Sequence, residues 1–238
     1  MNWLAEALVQ CQLTEETEEY LYSRGAKDGT VLSEGFVTWE STAEPIPDPL
    51  FVSRYGNRGQ KLEGMLVCPV RSPRGIVIGA EFRSTQEKYI QDYRLPASNW
   101  NPFWIGTRRA MPAMWSGANV WIVEGLFDLC ALEWAIPKGD VVLASVRAHL
   151  ARSHVEFLRR FCRKGVYLVY DQDVTGRKAM KGWVDENGKR RIGAQEVLQR
   201  VGLKCWIVEF TGGKDPGEIW DKGGAVAVRE TFGGSQHG

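Results

Sequence analysis

The chain reads as an α/β protein: a parallel sheet with crossover helices, preceded by a smaller mixed α+β basic subdomain. Three observations predict this. After about residue 118, short and continuously apolar runs alternate with helix-periodic stretches of about 10–15 residues, the pattern of strands buried on both faces and the helices between them. Before that point the apolar runs "MLVCPV" and "GIVIGAEF" are parted only by "RSPRG", a turn signal with proline and glycine. Finally, carboxylates stand directly after the later apolar runs, where open α/β sheets gather their ligands.

The elements follow in order. Residues 3–25 read as one or two helices ending at "SRGAK", with Gly25 as the cap. Residues 26–60 are mixed, with "EPIPDPL" (44–50) as an extended, proline-limited connector. Residues 61–95 are β, and "LPASNWNPFWIG" (95–106) is expected to be a structured loop. Then "NVWIVEG" (119–125) is a strand, "LFDLCALEWA" (126–135) a helix, and "DVVLAS" (140–145) a strand. "RSHVEFLRRFCRKG" (152–165) is a helix closed by Gly165, "VYLVYD" (166–171) a strand, and a helix starts near 176. "KGWVDENGKRRIG" (181–193) reads as an inserted hairpin turning at Asn187-Gly188, and "KCWIVEF" (204–210) as another strand. The domain boundaries expected are 1–118 (acidic helical head 1–49, basic mixed segment 50–118), 119–225, and a flexible tail 226–238.

Composition excludes some classes. No run approaches the roughly 18 apolar residues of a membrane span, and the N-terminus is acidic rather than signal-like, so a cytoplasmic protein is expected. Cys11, Cys68, Cys130, Cys162 and Cys205 are scattered with no C-x-x-C pair, which argues for reduced core thiols rather than a disulfide framework or zinc site. Net charge is +1, unevenly spread: residues 1–49 carry 2 basic and 10 acidic side chains, residues 50–118 carry 10 and 4. The basic segment suits a polyanionic partner, or else is a solvated face. Trp100, Trp104 and Trp115 lie in or beside it, where bases could stack, although most tryptophans serve as core.

Three strand ends carry acids: Glu124 and Asp128 in "WIVEGLFD", Asp171 and Asp173 in "LVYDQD", Asp215 and Glu218 in "VEFTGGKDPGEIW". Each alone reads equally well as a helix cap or turn residue. Together on one sheet edge they would repel unless divalent cations sat among them, and oxygen-only ligands favour Mg²⁺ or Mn²⁺ over zinc.

These segments carry a family resemblance. "VEGLFDLCAL", "LASVRAHLARSHVEFLRR", "LVYDQDVTGRKA" and "GKDPGEIW" resemble, in order, the TOPRIM domain of DnaG-type bacterial and phage DNA primases. Upstream, "EEYLYSRG" (18–25), "PVRSPRGIVIGAEFR" (69–83), "KYI" (88–90) and "FWIG" (103–106) resemble the primase core's basic subdomain. The resemblance, spanning roughly 15–222, implies a TOPRIM-type parallel sheet. It implies Glu124, Asp128, Asp171 and Asp173 as catalytic, with Glu124, Asp171, Asp173 and Asp215 holding two or more metal ions. It also implies Arg83, Lys88, Arg71 and Lys214 as nucleotide- or DNA-binding cations. The function implied is a primase core, of phage or mobile-element origin, that makes short RNA primers from NTPs on single-stranded DNA by two-metal nucleotidyl transfer. A replicative helicase or a separate zinc-module protein would be its partner. A metal-dependent TOPRIM nuclease and a non-catalytic nucleic-acid-binding protein are the alternatives. Two departures stand out: these 238 residues hold no zinc module or helicase-binding domain, and Met65 stands where the family tends to have arginine.

Overall fold

The computed structural model describes residues 3–40, 51–52, 62–72, 75–86, 90–94, 105–146 and 149–234. The chain forms two units, Met1–Ile105 and Gly106–Gly238. The first opens with helices α1 (Trp3–Gln10), α2 (Glu15–Ser23) and α3 (Asp28–Glu34). Thr14 caps α2: its hydroxyl accepts from Thr17 N while the Thr17 hydroxyl accepts from Thr14 N, which satisfies two orphan donors at once. Gly25 follows α2 in the left-handed region (φ 88°), where a Cβ would be strained.

Strands β1 (Val37–Thr38), β2 (Phe51–Val52), β3 (Leu66–Arg71), β4 (Val77–Arg83) and β5 (Ile90–Arg94) pair antiparallel in the order β1-β3-β4-β5-β2. β3 and β4 are the two apolar runs joined at "RSPRG", in register from Leu66↔Arg83 to Arg71↔Val77. Leu4, Leu8, Val67 and Phe82 bury the core of this unit, where Trp39 meets Phe82 edge-on at 5.4 Å. Met65 packs into the same core, so apolar contact is what this chain has where the resembled family tends to have a cation. The connector 44–50 and residues 95–104, with Trp100 and Trp104, lie outside the described residues.

The second unit begins with α4 (Thr107–Trp115), which packs on the strand Val141–Ala144; Pro112 inside the helix hid it from the sequence pattern. Then follow β6 (Val120–Val123), α5 (Leu126–Leu132), β7 (Val141–Ala144), α6 (Arg152–Phe161), β8 (Val166–Leu168) and α7 (Val174–Lys181). The expected insertion is a ribbon, β9 (Gly182–Val184) and β10 (Arg190–Ile192), with Gly188 at φ 73° in its turn. α8 (Ala194–Arg200), β11 (Cys205–Ile207) and α9 (Pro216–Phe232) complete the chain. The main sheet is parallel throughout, ordered β11-β8-β6-β7. The chain passes from β6 to β7 on one side, then returns across to β8 on the other. β6 and β8 therefore flank the switch point, the place where open α/β sheets form a ligand crevice at the strands' carboxyl ends.

Val120, Ile122 and Val123 in β6, and Val166 and Leu168 in β8, are buried, as continuous apolar runs require. Trp121, Tyr167 and Trp206 stand in register on three adjacent strands, with ring centroids 4.4 and 4.9 Å apart. Gly165 makes room for this ladder rather than capping α6: a Cβ there would come within 2.4 Å of the Trp206 ring. All five cysteines are buried thiols. Residues 226–232 are not a flexible tail. They continue α9 past a kink at Gly223 and Gly224, with Val228 and Phe232 buried and Phe232 against Phe210 at 4.9 Å. Among the described residues no helix is long and apolar enough to cross a membrane.

Candidate active site

Glu124 ends the β6 segment and Asp171 follows β8, so the two lie across the switch point. Glu124 Oε1 accepts from Asp171 N at 3.3 Å. Burial, then the nearby Asp171 charge, pushes the Glu124 carboxyl up to about 7. Asp171 is also raised, by burial, although the Lys214 ammonium 2.6 Å from its Oδ2 pulls the other way.

Asp173 is the N-cap of α7, its Oδ1 accepting from Gly176 N at 2.8 Å, and this bond holds its carboxyl below the usual range. Its other oxygen lies 3.6 Å from the same Lys214 ammonium. A single positive charge therefore stands between the two aspartates of "DQD". Lys214 is in turn raised, chiefly by its bond to Asp171. Its loop is tied to the aspartate loop through Gln172 N, which donates to Lys214 O at 2.7 Å.

Gly176 decides how tightly α7 starts. A Cβ at this position would lie 2.1 Å from Asp171 O, so only glycine lets the first turn of α7 pack under the acidic loop.

Asp128 and Asp215 are occupied differently. Asp128 Oδ2 accepts from Gly125 N at 3.0 Å, and Oδ1 from Gly217 N at 3.1 Å, so the carboxyl joins the first turns of α5 and α9. Burial foremost, and then Asp215 and Asp171, raises it. Asp215 is the N-cap of α9, accepting from Glu218 N at 2.7 Å ahead of Pro216 at the first helical position. Glu218 accepts from Lys214 N at 2.9 Å and pairs with Lys222 at 2.6 Å. The helix-cap reading thus describes the hydrogen bonds of Asp173 and Asp215, while Glu124 bonds the Asp171 backbone and the Asp171 carboxylate pairs with Lys214.

Arg71 and Arg83 lie in the first unit. Arg71 donates to Gly75 O at 3.1 Å. Arg83 is 14% exposed and ion-paired with the buried Glu81 two residues before it on β4. Burial works against the Arg83 charge, and Glu81 more than offsets it. Lys88 lies outside the described residues. Trp115 is 64% exposed and carries the Arg163 guanidinium 5.5 Å over its ring.

Among the described residues no three ligand-type side chains close into a ready cage. The fit to a hard divalent cation rests on chemistry: Glu124, Asp171 and Asp173 offer only oxygen donors, and the two aspartates already converge on one cation, Lys214. The donor set fits Mg²⁺ or Mn²⁺. The bridging position of Lys214 was hidden in the sequence. Its only signal was the lysine beside aspartate in "GKDP".

An acidic crevice at the switch point of a parallel sheet, with E-G after one strand and D-x-D after its neighbour, defines a Toprim-like domain, and residues 121–220 match the Toprim-like family. The chain is 31% identical over 177 residues to the DNA primase of Aquifex aeolicus, covering 71% of this chain and 32% of that protein. The crystal structure of the Aquifex aeolicus primase zinc-binding and RNA polymerase domains superposes with a TM-score of 0.69 at 22% identity, covering 96% of this chain and 60% of that one. The DnaG primase catalytic domain bound to single-stranded DNA superposes at 0.62 and 18% identity, covering 95% and 77%. The fold is that of the DnaG-type primase catalytic core, and the resemblance read from the motifs holds. The chain spans about a third of the length of the curated relatives it matches.

Proposed function

We propose that this chain is a primase catalytic core that joins ribonucleoside triphosphates into short RNA primers on a single-stranded DNA template. The observation that carries this reading is the convergence of Glu124 and Asp171 across the switch point, with Asp173 beside them. The DNA primases among its relatives, and a like fold that holds single-stranded DNA, support it.

Glu124, Asp171 and Asp173 would hold Mg²⁺ or Mn²⁺. When bound, such ions supply charge neutralisation for the triphosphate and activation of the primer 3′-hydroxyl. Asp173, fixed by its cap bond to Gly176 N, keeps its other oxygen 3.6 Å from the Lys214 ammonium that Asp171 also binds, so the pair is presented with little reorganisation. Asp128 acts as a positioning residue, holding the start of α9 and hence the Lys214–Asp215 loop. Lys214 is placed to leave the aspartates for a triphosphate oxygen. Initiation would draw on a helicase or zinc-module partner.

The test is primer synthesis on single-stranded DNA with labelled NTPs and Mg²⁺ or Mn²⁺, beside the Asp171→Ala/Asp173→Ala variant. Template-dependent oligonucleotides that vanish in the variant support the proposal. Metal-dependent shortening of the labelled strand, with no new oligonucleotide, would replace polymerase by nuclease. DNA binding without either reaction, even with a helicase or zinc-module partner added, would leave a non-catalytic binding protein.

A further inference from the structure

The β9–β10 ribbon contributes no core. β10 is exposed at every residue, Val184 is 66% exposed, and among the described residues the two strands pair only with each other. A lone two-stranded ribbon is marginal in water. This one is held by its own polar contacts: Asp185 accepts from Asn187 N and Lys189 N and pairs with Arg191 at 2.9 Å, while Arg190 pairs with Glu196 at 2.7 Å. Trp183, opposite Arg191, lies along the His149 ring at 6.4 Å. What such a ribbon does must therefore lie outside the packing of its own unit.

Its charge says with what. Residues 174–193 carry Arg177, Lys178, Lys181, Lys189, Arg190 and Arg191 against Asp185 and Glu186, a net of +4 in a chain whose total is +1. The arginines are open to solvent, Arg190 at 74% and Arg191 at 49%, and exposed pairs of this kind contribute little, so a phosphate can replace either carboxylate cheaply. Position adds a second argument. α7 follows its N-cap Asp173, at the acidic site, and runs 8 residues before the ribbon begins. At 1.5 Å per residue that is about 12 Å, or roughly three to four nucleotides of a strand.

We propose that the basic face of α7 and the β9–β10 ribbon form a sequence-independent contact for the backbone phosphates of the nucleic acid served by the acidic crevice, three to four nucleotides from it. The occupant is the primer–template duplex, since both its strands present phosphates at that distance; this part rests on the primase reading. The contact itself requires only a nucleic acid and no chemistry.

The test measures binding rather than synthesis. Fluorescence anisotropy with a labelled RNA-primed DNA template, without NTPs, compares the intact chain with Lys189→Gln/Arg190→Gln/Arg191→Gln over a salt series. The expected result is affinity weaker by about tenfold or more at low salt, and a log–log salt slope shallower by about 2 to 3. A second variant, Asp185→Asn/Glu196→Gln, breaks the same ion pairs but leaves the cations, and should bind more tightly. Unchanged affinity and slope in the triple variant would overturn the proposal. Equal weakening in both variants would also overturn it, since the ion pairs would then matter only for the ribbon's shape. If the triple variant does not fold, Lys189→Glu serves alone: it must weaken binding and flatten the slope, or the proposal falls. Binding weakened in the triple variant, with primer synthesis absent from the intact chain even when a helicase or zinc-module partner is added, would refute the polymerase reading and leave this contact standing.

Discussion

The Lys214 ammonium lies 2.6 Å from Asp171 Oδ2 and 3.6 Å from Asp173 Oδ2, the place a cation must take to make "DQD" tolerable at a strand end. A divalent ion held at these oxygens would compete with that ammonium. Lys214→Met keeps the side chain's length and removes its charge. Mn²⁺ should then bind about tenfold more tightly in the absence of nucleotide, read by calorimetry, because a charge pair at this range is worth more than 1 kcal/mol even when well screened. Nucleotide affinity should fall in the same variant. Weaker Mn²⁺ binding would show instead that Lys214 serves to hold the aspartate loop in shape.

Gly176 and Gly29 make opposite predictions for the same substitution. At Gly176 the added methyl would meet Asp171 O at 2.1 Å, so Gly176→Ala must push the acidic loop off α7. Overpacking of this kind costs about 1–3 kcal/mol, and metal binding should weaken with it. Gly29 sits inside α3, where an added methyl would have nothing within 4 Å, so Gly29→Ala should stabilise by about 0.5–1 kcal/mol. Paired thermal melts, with Mn²⁺ titrations of each variant, check both signs.

The parallel sheet was legible because its strands are apolar at every position and its acids follow them directly; periodicity and placement both survive in one dimension. The inserted ribbon was legible from Asn187-Gly188 alone. What the sequence concealed depends on contacts distant along the chain. Residues 226–232 read as tail because Gly223 and Gly224 break the helical pattern, yet Phe232 finds Phe210 and Arg229 donates to Trp134 O at 3.2 Å. At the site, the acids were visible as a set. Their division was not: Asp128 reaches Gly217 across 89 positions, and Lys214 reaches back to Asp171, neither of which any local pattern encodes.

Asp128 and the aspartates of "DQD" should separate stability from metal binding. Asp128→Ala leaves Gly125 N and Gly217 N without their acceptor, which costs about 2 kcal/mol. Chemical denaturation should show that loss, with Mn²⁺ affinity changed less than tenfold. Asp171→Ala/Asp173→Ala should abolish Mn²⁺ binding, while the lost α7 cap costs only about 1 kcal/mol. If Asp128→Ala alone abolishes Mn²⁺ binding, Asp128 is a ligand and the clamp is secondary.

Glu124 gives the site a pH signature in the absence of metal. Its folded carboxyl titrates at about 7 against an ordinary 4.5, so between those values the folded state holds a proton that the unfolded chain has released. Stability must therefore fall as pH rises from about 4.5 to 7. Asp128 and Asp171, also raised, act in the same direction. Asp173, Asp185, Glu209 and Glu218 are lowered, so their contributions are present above the ordinary carboxylate range and vanish only below it. The two windows do not overlap. In EDTA the melting temperature should drop by about 3 °C or more between pH 5 and 7.5. Glu124→Gln, which cannot ionise, should flatten much of that drop, and saturating Mg²⁺ should reverse it in the unmodified chain. A drop of the same size in Glu124→Gln would assign the effect to Asp128 and Asp171 instead.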